Sequence, residues 1–327
     1  MIGGEFEIDL STQRQDFVEQ PDTYYYASGR AALYQIVKSL NVKRVWLPDY
    51  LCISVVDAVK KAGVDYVFYE LDDNLEPILN TLNPSEFDAI LLINYFGLMD
   101  LSVIETKLSE TFPYTVLLED DVQAYFEFNK RDNRYIDYRF TSLRKTFAVP
   151  DGGLVYTKHK MPVAVEQNSF SPYKFDAAMM KARRQKESID DSKYLALFAK
   201  GEELIDDNYD SVMSLDSRML FAGVDADLIS RKRKENAAYI LKGLKELGIK
   251  TILPVPQDKT PLFIPIYLEN RNEVRNRMFA NKIYCPIHWP LGGLRLKKGS
   301  EMAEHELSLI VDQRYETNDI EKILNKL

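Results

Sequence analysis

The sequence predicts an α/β fold: a mostly parallel central sheet with helices on its faces, three layers in all, and a smaller α+β unit at the C-terminal end. Two observations carry this reading. From Tyr24 onward, short apolar runs alternate with amphipathic runs of helical period, and Pro254, Pro256 and Pro261 then punctuate the chain before a shorter tail. Strand and helix units that alternate at this length form parallel sheets, because each helical crossover brings the chain back to start its next strand in the same direction. The 327 residues allow about two domains at roughly 150 residues each. The expected boundary lies near residue 250, with a large domain over 1–250 and a small one over 251–327, the N-terminal segment packing on the small one.

The elements follow in order. Ser28 is placed to cap a helix whose apolar positions Ala32, Leu33, Ile36, Val37 and Leu40 keep the helical period. A short strand, Arg44 to Leu47, stops at Pro48; a second helix runs from about Ile53 to Lys61 and ends at Gly63, with a strand from Tyr66 to Leu71. The pattern repeats with a strand Ala89 to Asn94, a helix Leu101 to Leu108 and a strand Thr115 to Glu119. Gly152 and Gly153 form a turn into the strand Leu154 to Thr157. Two charged helical segments, Phe175 to Lys200 and Asp216 to Leu247, come next. Beyond the prolines, Leu262 to Leu268 reads as a strand and Asn270 to Ala280 and Thr317 to Leu327 as helices.

Composition excludes several classes. With 42 Lys plus Arg against 50 Asp plus Glu, the net charge is −8, the wrong sign for a protein that tracks nucleic-acid phosphates. Cys52 and Cys285 stand far apart without a CxxC spacing, so neither a disulfide framework nor a structural zinc site is expected. The first ten residues carry acids and no basic region, and the most apolar stretch, Ala89 to Leu101, is interrupted by Asn94 and falls short of the ~20 residues of a membrane helix. A cytoplasmic protein without membrane insertion is the expectation.

In an open parallel sheet, ligands collect beyond the carboxyl ends of the strands, and three such segments carry chemistry. Ala27-Ser28-Gly29-Arg30-Ala31-Ala32 opens a helix; its free amides suit an anion, and Arg30 adds charge, although Ser28 and Gly29 equally suit a plain cap and turn. Leu117-Leu118-Glu119-Asp120-Asp121 runs an apolar strand into three carboxylates, which can hold a cationic ring nitrogen or a metal, or simply begin a helix. Phe140 to Phe147 places Lys145 among Thr141, Ser142 and Thr146 ahead of Gly152-Gly153. That lysine reads either as a Schiff-base former beside a phosphate or as a solvated charge.

The order of these segments resembles the DegT/DnrJ/EryC1/StrS sugar aminotransferases, fold-type I pyridoxal-phosphate enzymes of the aspartate aminotransferase superfamily. The resemblance runs from Ile2-Gly3-Gly4-Glu5-Phe6 through Ser28 to Leu33, Trp46-Leu47-Pro48, Glu119 to Ala124 and Ser142-Leu143-Arg144-Lys145 with Gly152-Gly153, to Cys285-Pro286-Ile287-His288-Trp289-Pro290 and Asp312 to Tyr315. It implies pyridoxal 5'-phosphate as cofactor, Lys145 as its Schiff-base lysine and proton carrier, and Asp120 at the ring nitrogen. Gln123 would lie near the ring, and Ser28, Gly29, Arg30 and Ser142 near the phosphate. Cys52 occupies the place where many members stack an aromatic ring, with Tyr50 and Tyr95 as other candidates. His288, Trp289 and Tyr95 would line the substrate cleft.

The implied function is transfer of an amino group from glutamate to a keto sugar nucleotide, in polysaccharide or cell-surface sugar biosynthesis, by a homodimer. A dehydratase, a transaminase of non-sugar ketones and a non-catalytic binding protein with the same fold are the alternatives. The family reaches its partner subunit's phosphate with an Asn-Tyr-Arg segment, where this chain has Ser211-Val212-Met213-Ser214 and Ser217-Arg218. His159, His288 and His305 lack metal-ligand spacing. The basic runs 181–186 and 231–234 have acids close by and read as solvated helix faces rather than nucleic-acid patches.

Overall fold

A computed structural model describes residues 1–9, 11, 13–130 and 135–327; residue 10, the last of the acidic opening segment, lies outside them. The strands in chain order are β1 (Ile2–Gly3), β2 (Thr23–Tyr26), β3 (Arg44–Pro48), β4 (Asp65–Tyr69), β5 (Asp88–Ile93), β6 (Val116–Asp120), β7 (Tyr138–Ser142), β8 (Gly153–Tyr156), β9 (Glu166–Gln167), β10 (Ser211–Val212), β11 (Phe263–Tyr267), β12 (Ile283–Tyr284) and β13 (Glu306–Ile310). Nine of them form one sheet in the order β4-β3-β5-β6-β7-β8-β2-β10-β9. The five from β4 to β7 run parallel, and β8 and β2 are antiparallel to their neighbours. The predicted α/β class with a mostly parallel sheet is the observed one.

Local sequence explains the elements. In the helix Gly29–Ser39, the Ser28 hydroxyl accepts from the Ala31 amide at 3.1 Å and the apolar face enters the main core. β5 is buried along its whole length, as a central parallel strand must be. Each of the two long helical segments proves to be a pair of helices. Ser188 in the left-handed region and the Asp190 cap separate Ser171–Glu187 from Asp191–Glu203, while Gly223 and the Asp225 cap separate Leu215–Ala222 from Ala226–Leu247. Strands β2 and β7 stand where no strand was expected. Both are rich in Tyr, Phe and Thr, residues that favour a pleated surface, and β7 turns the expected Phe140 to Phe147 loop into a strand followed by the single turn Leu143–Thr146.

A second core surrounds the antiparallel pair β11 and β13. Ala237, Ile240 and Leu244 of the helix Ala226–Leu247 pack in it, so this helix, read from sequence as part of the region before residue 250, turns its apolar face to the C-terminal unit. β1 pairs with β12, which ties the N-terminal residues to the same unit. Among the described residues, no helix is long and apolar enough to cross a membrane.

Candidate functional site

Where the carboxyl ends of the parallel strands meet the second unit, a cavity of about 500 Å³ opens. Ser28, Gly29, Arg30, Cys52, Asp120, Gln123, Ser142, Lys145, His288 and Trp289 all line it. The sheet brings them together because β3, β6 and β7 are parallel and end on the same side, so the segments after them converge.

The three consecutive carboxylates are sorted by the two-residue period of a strand. Glu119 and Asp121 project to one side, where Arg139 of β7, directly opposite Glu119, holds both at 2.7 and 3.1 Å. Asp120 projects to the other side, into the cavity. One of its oxygens accepts from the Val122 amide at 2.8 Å, and among the described residues it has no ion-pair partner. Burial raises its carboxyl to about 7, with the Val122 hydrogen bond opposing and the Glu119 charge adding. A buried acid with an open oxygen and no cation is a receptor for a cationic ligand atom. Gln123 accepts from the Phe96 amide through its side-chain oxygen at 2.9 Å, which fixes its amide plane.

On another side, the helix Gly29–Ser39 directs its N-terminus at the cavity, where unpaired amides and the helix dipole favour an anion. The approach is close: a Cβ on Gly29 would lie 3.2 Å from Ser142 Cβ and from Val122, and one on Gly153 would lie 2.0 Å from the Ser28 carbonyl oxygen. Ser28 spends its hydroxyl as a cap, whereas the Ser142 hydroxyl makes no capping bond to the turn it starts. Arg30 is held by acids, 2.6 Å from Asp206 and 3.6 Å from Glu202, so its charge is largely spent on them.

Lys145 is exposed to the cavity and has no ion-pair partner among the described residues. Acids nearby feel its charge. Burial alone would raise Glu202, but Arg144, Lys174 and Lys145 together bring it down to about 2. Lys174 joins Glu202 at 2.8 Å and Glu5 at 3.3 Å. Glu5, Glu202, Arg144 and Arg314 also line the cavity and carried no expected role. The first of them sits on the N-terminal segment, whose Gly4 and Glu5 carbonyls accept from Arg314. The signal for Arg314 is visible only as an Asp312-Gln313-Arg314 spacing that the fold closes into a 2.8 Å ion pair.

Tyr95 is placed differently from its expected role. It is buried behind the cavity wall, stacked on Tyr50 at 5.1 Å, with its hydroxyl donating to the Tyr50 carbonyl at 2.5 Å. Tyr50 in turn donates to the His288 carbonyl and packs on Trp289, so both tyrosines support the cleft without lining it. Cys52 lines the cavity as the first residue before the helix Ile53–Lys61, its sulfur accepting from Ser54 at 3.1 Å. Ser214 and Ser217, in place of the Asn-Tyr-Arg segment, bind buried Asp151 beside Gly152, and Arg218 pairs with Glu19. His159 and His305 lie apart from the site, stacked on Tyr138 and Tyr267.

No protein-family model matches the chain, and no curated protein sequence does. Solved structures do match. The aminotransferase TlmJ from Streptoalloteichus hindustanus is 17% identical over 93% of this chain and 84% of its own, with a TM-score of 0.67. The sugar aminotransferase CalS13 from Micromonospora echinospora is 14% identical over 94% and 86%, with a TM-score of 0.65. Spr1654 from Streptococcus pneumoniae, in its PMP form, is 14% identical over 99% and 96%, with a TM-score of 0.68. Over nearly its whole length, this chain has the fold of these aminotransferases.

Proposed function

We propose that the protein is a pyridoxal 5'-phosphate-dependent aminotransferase that moves an amino group from glutamate to a keto sugar nucleotide, in polysaccharide or cell-surface sugar biosynthesis. The observation that supports this most is Asp120: of three adjacent acids it alone faces the cavity, buried and without a cation. The residues present fit the cofactor. Lys145 would hold it covalently through Nζ, Asp120 would keep a proton on its ring nitrogen, and the Gly29 helix terminus with Ser142 would bind its phosphate. When bound, the cofactor supplies an electron sink for loss of a proton from the carbon that bears the amino group.

The chain's own groups then do three things. Asp120, ionised once a cation sits beside it, holds that cation in place, because the pairing removes the cost that keeps its carboxyl near 7. Lys145 Nζ, when not bonded to the cofactor, would be the group placed to take up and release a proton at the reacting carbon. The walls formed by Trp289, Phe140 and Leu262 exclude water from these transfers. The sugar substrate is suggested by a solved neighbour described as a sugar aminotransferase; the nucleotide, the glutamate donor and a homodimer rest on the sequence resemblance. Incubation with pyridoxal phosphate, borohydride reduction and peptide mass mapping test the reading. A reduced adduct on Lys145, absent from Lys145→Ala, is expected. A wild-type protein that takes up no pyridoxal phosphate rejects it.

A further inference from the structure

His288 lines the cavity, and behind it stands a polar chain that plays no part in the proposal above. The period of two along β13 puts Glu306, Ser308 and Ile310 on one face and Leu307 and Leu309 on the other, in the second core. Glu306 and Ser308 are fully buried. Glu306 Oε2 accepts from the His288 backbone amide at 2.7 Å, its Oε1 accepts from the Ser308 hydroxyl at 2.5 Å, and Ser308 Oγ lies 2.8 Å from His288 Nδ1. With Nδ1 turned to Ser308, Nε2 is the ring nitrogen that a ligand in the cavity meets.

A serine has one hydrogen to give. While it goes to Glu306, Oγ can only accept from His288, so the ring carries its proton on Nδ1 and leaves Nε2 as a bare acceptor. If Glu306 holds a proton on Oε1, that O–H donates to Ser308, the serine hydrogen turns to Nδ1, and the ring proton must sit on Nε2. We propose that Glu306 and Ser308 form a proton wire that sets the tautomer of His288, and so decides whether the cavity-facing nitrogen accepts or donates a hydrogen bond. The change balances with one proton taken up. A proton binds Nε2 from the cavity, the Nδ1 proton passes to Ser308 Oγ, and the serine proton passes to Glu306 Oε1. The net result is a neutralised carboxylate and an imidazole that is neutral before and after.

The surroundings favour titration of the acid over that of the ring. Burial raises Glu306 to about 8, with the His288 amide, Ser308 and the Arg271 guanidinium of the helix Arg271–Ala280 opposing. Burial and the positive charge of Lys145 hold the imidazole down at about 3. The other titratable groups facing Glu306 are Tyr50, on the segment after β3, and Cys285, which follows β12; burial raises both, so they stay neutral. A ligand hydroxyl or ammonium is favoured while Glu306 is ionised and Nε2 accepts, and a ligand carbonyl or phosphate oxygen while Glu306 is protonated and Nε2 donates.

The test needs no cofactor and is independent of the function proposed above. The full chain, labelled with ¹⁵N-histidine, has only three histidines to resolve, and His159→Gln and His305→Gln assign the other two. Between about pH 6 and about pH 10, the wild-type His288 nitrogens should exchange places, Nε2 protonated at the low end and Nδ1 at the high end. Glu306→Gln should lock the Nε2–H form, because the His288 amide requires the carbonyl oxygen and leaves the NH₂ group facing Ser308. Ser308→Ala should abolish the exchange. A wild-type ring that keeps one tautomer throughout, one that becomes an imidazolium, or an exchange that survives in Ser308→Ala overturns the wire.

Discussion

Replacing Asp120 with Asn should stabilise the ligand-free chain, and increasingly so as the pH rises. The carboxyl lies at about 7 in the fold against 3.8 ordinarily, so the folded state binds a proton that the unfolded chain has already released. Stability from such a group is intact below about 3.8, falls as pH climbs, and has been lost in full above about 7. At ~1.4 kcal/mol per tenfold, the interval corresponds to ~4 kcal/mol, of which ~2.5 kcal/mol falls between pH ~5 and pH ~8.5. Asn keeps an oxygen for the Val122 amide and cannot ionise, so it removes this dependence with little change of shape. Urea unfolding of both proteins across that range, without ligand, should show their difference growing in favour of the variant by roughly that amount. A difference that is flat with pH, or a variant less stable at the alkaline end, would refute the argument that Asp120 is an uncompensated buried acid. Pyridoxal phosphate should reverse the order, since only the wild type gains an ion pair from it.

Two further substitutions probe the frame around that acid. Arg139→Met leaves Glu119 and Asp121 buried without their shared cation, and the unfolding free energy should drop by ~3–5 kcal/mol; adding Glu119→Gln should recover part of it, and a loss within experimental error would mean that the acids are paired elsewhere. Gly153→Ala drives a Cβ to 2.0 Å from the Ser28 carbonyl oxygen, a backbone atom that cannot rotate away, whereas Gly201→Ala meets side-chain rather than backbone atoms, Lys174 Cγ at 2.8 Å. Thermal unfolding should show the first costing ~1–3 kcal/mol or more and the second distinctly less, with phosphate-ligand affinity lost only in the first; equal effects would contradict the close packing of β8 on the helix start.

Four of the five parallel strands, β3 to β6, and most helices were legible because their apolar periods are set by local burial. β5 and the helix Gly29–Ser39 needed nothing beyond the sequence to be found. β2 and β7 were not legible, since Thr23-Tyr24-Tyr25-Tyr26 and Tyr138-Arg139-Phe140-Thr141-Ser142 carry polar atoms at positions that only their neighbours satisfy, Arg139 through Glu119 and Asp121. The cavity residues of the segments after β6 and β7 were reachable from the rule of strand ends, and Cys52 after β3 from the family resemblance. Tyr95, which the family resemblance set in the cleft, also follows a parallel strand, yet stacking on Tyr50 turns it into the core. Arg30 shows another limit, because its partners Asp206 and Glu202 lie over 170 positions away and no spacing announces them.

One pattern governs both sides of the cavity. In β6 the alternation sends Glu119 one way and Asp120 the other, so a run of acids that looks uniform in sequence becomes one ion-paired side and one receptor. In β13 it sends Leu307 and Leu309 to the second core and Glu306 and Ser308 to the back of His288. Acids at alternate positions in an apolar strand are costly to bury, and each persists here only with a defined set of hydrogen bonds. Asp120 has one such bond and faces open space, while Glu306 has two and faces protein. The first is therefore suited to receive a cation from outside, and the second to pass its protonation state on through neighbours to the cavity surface.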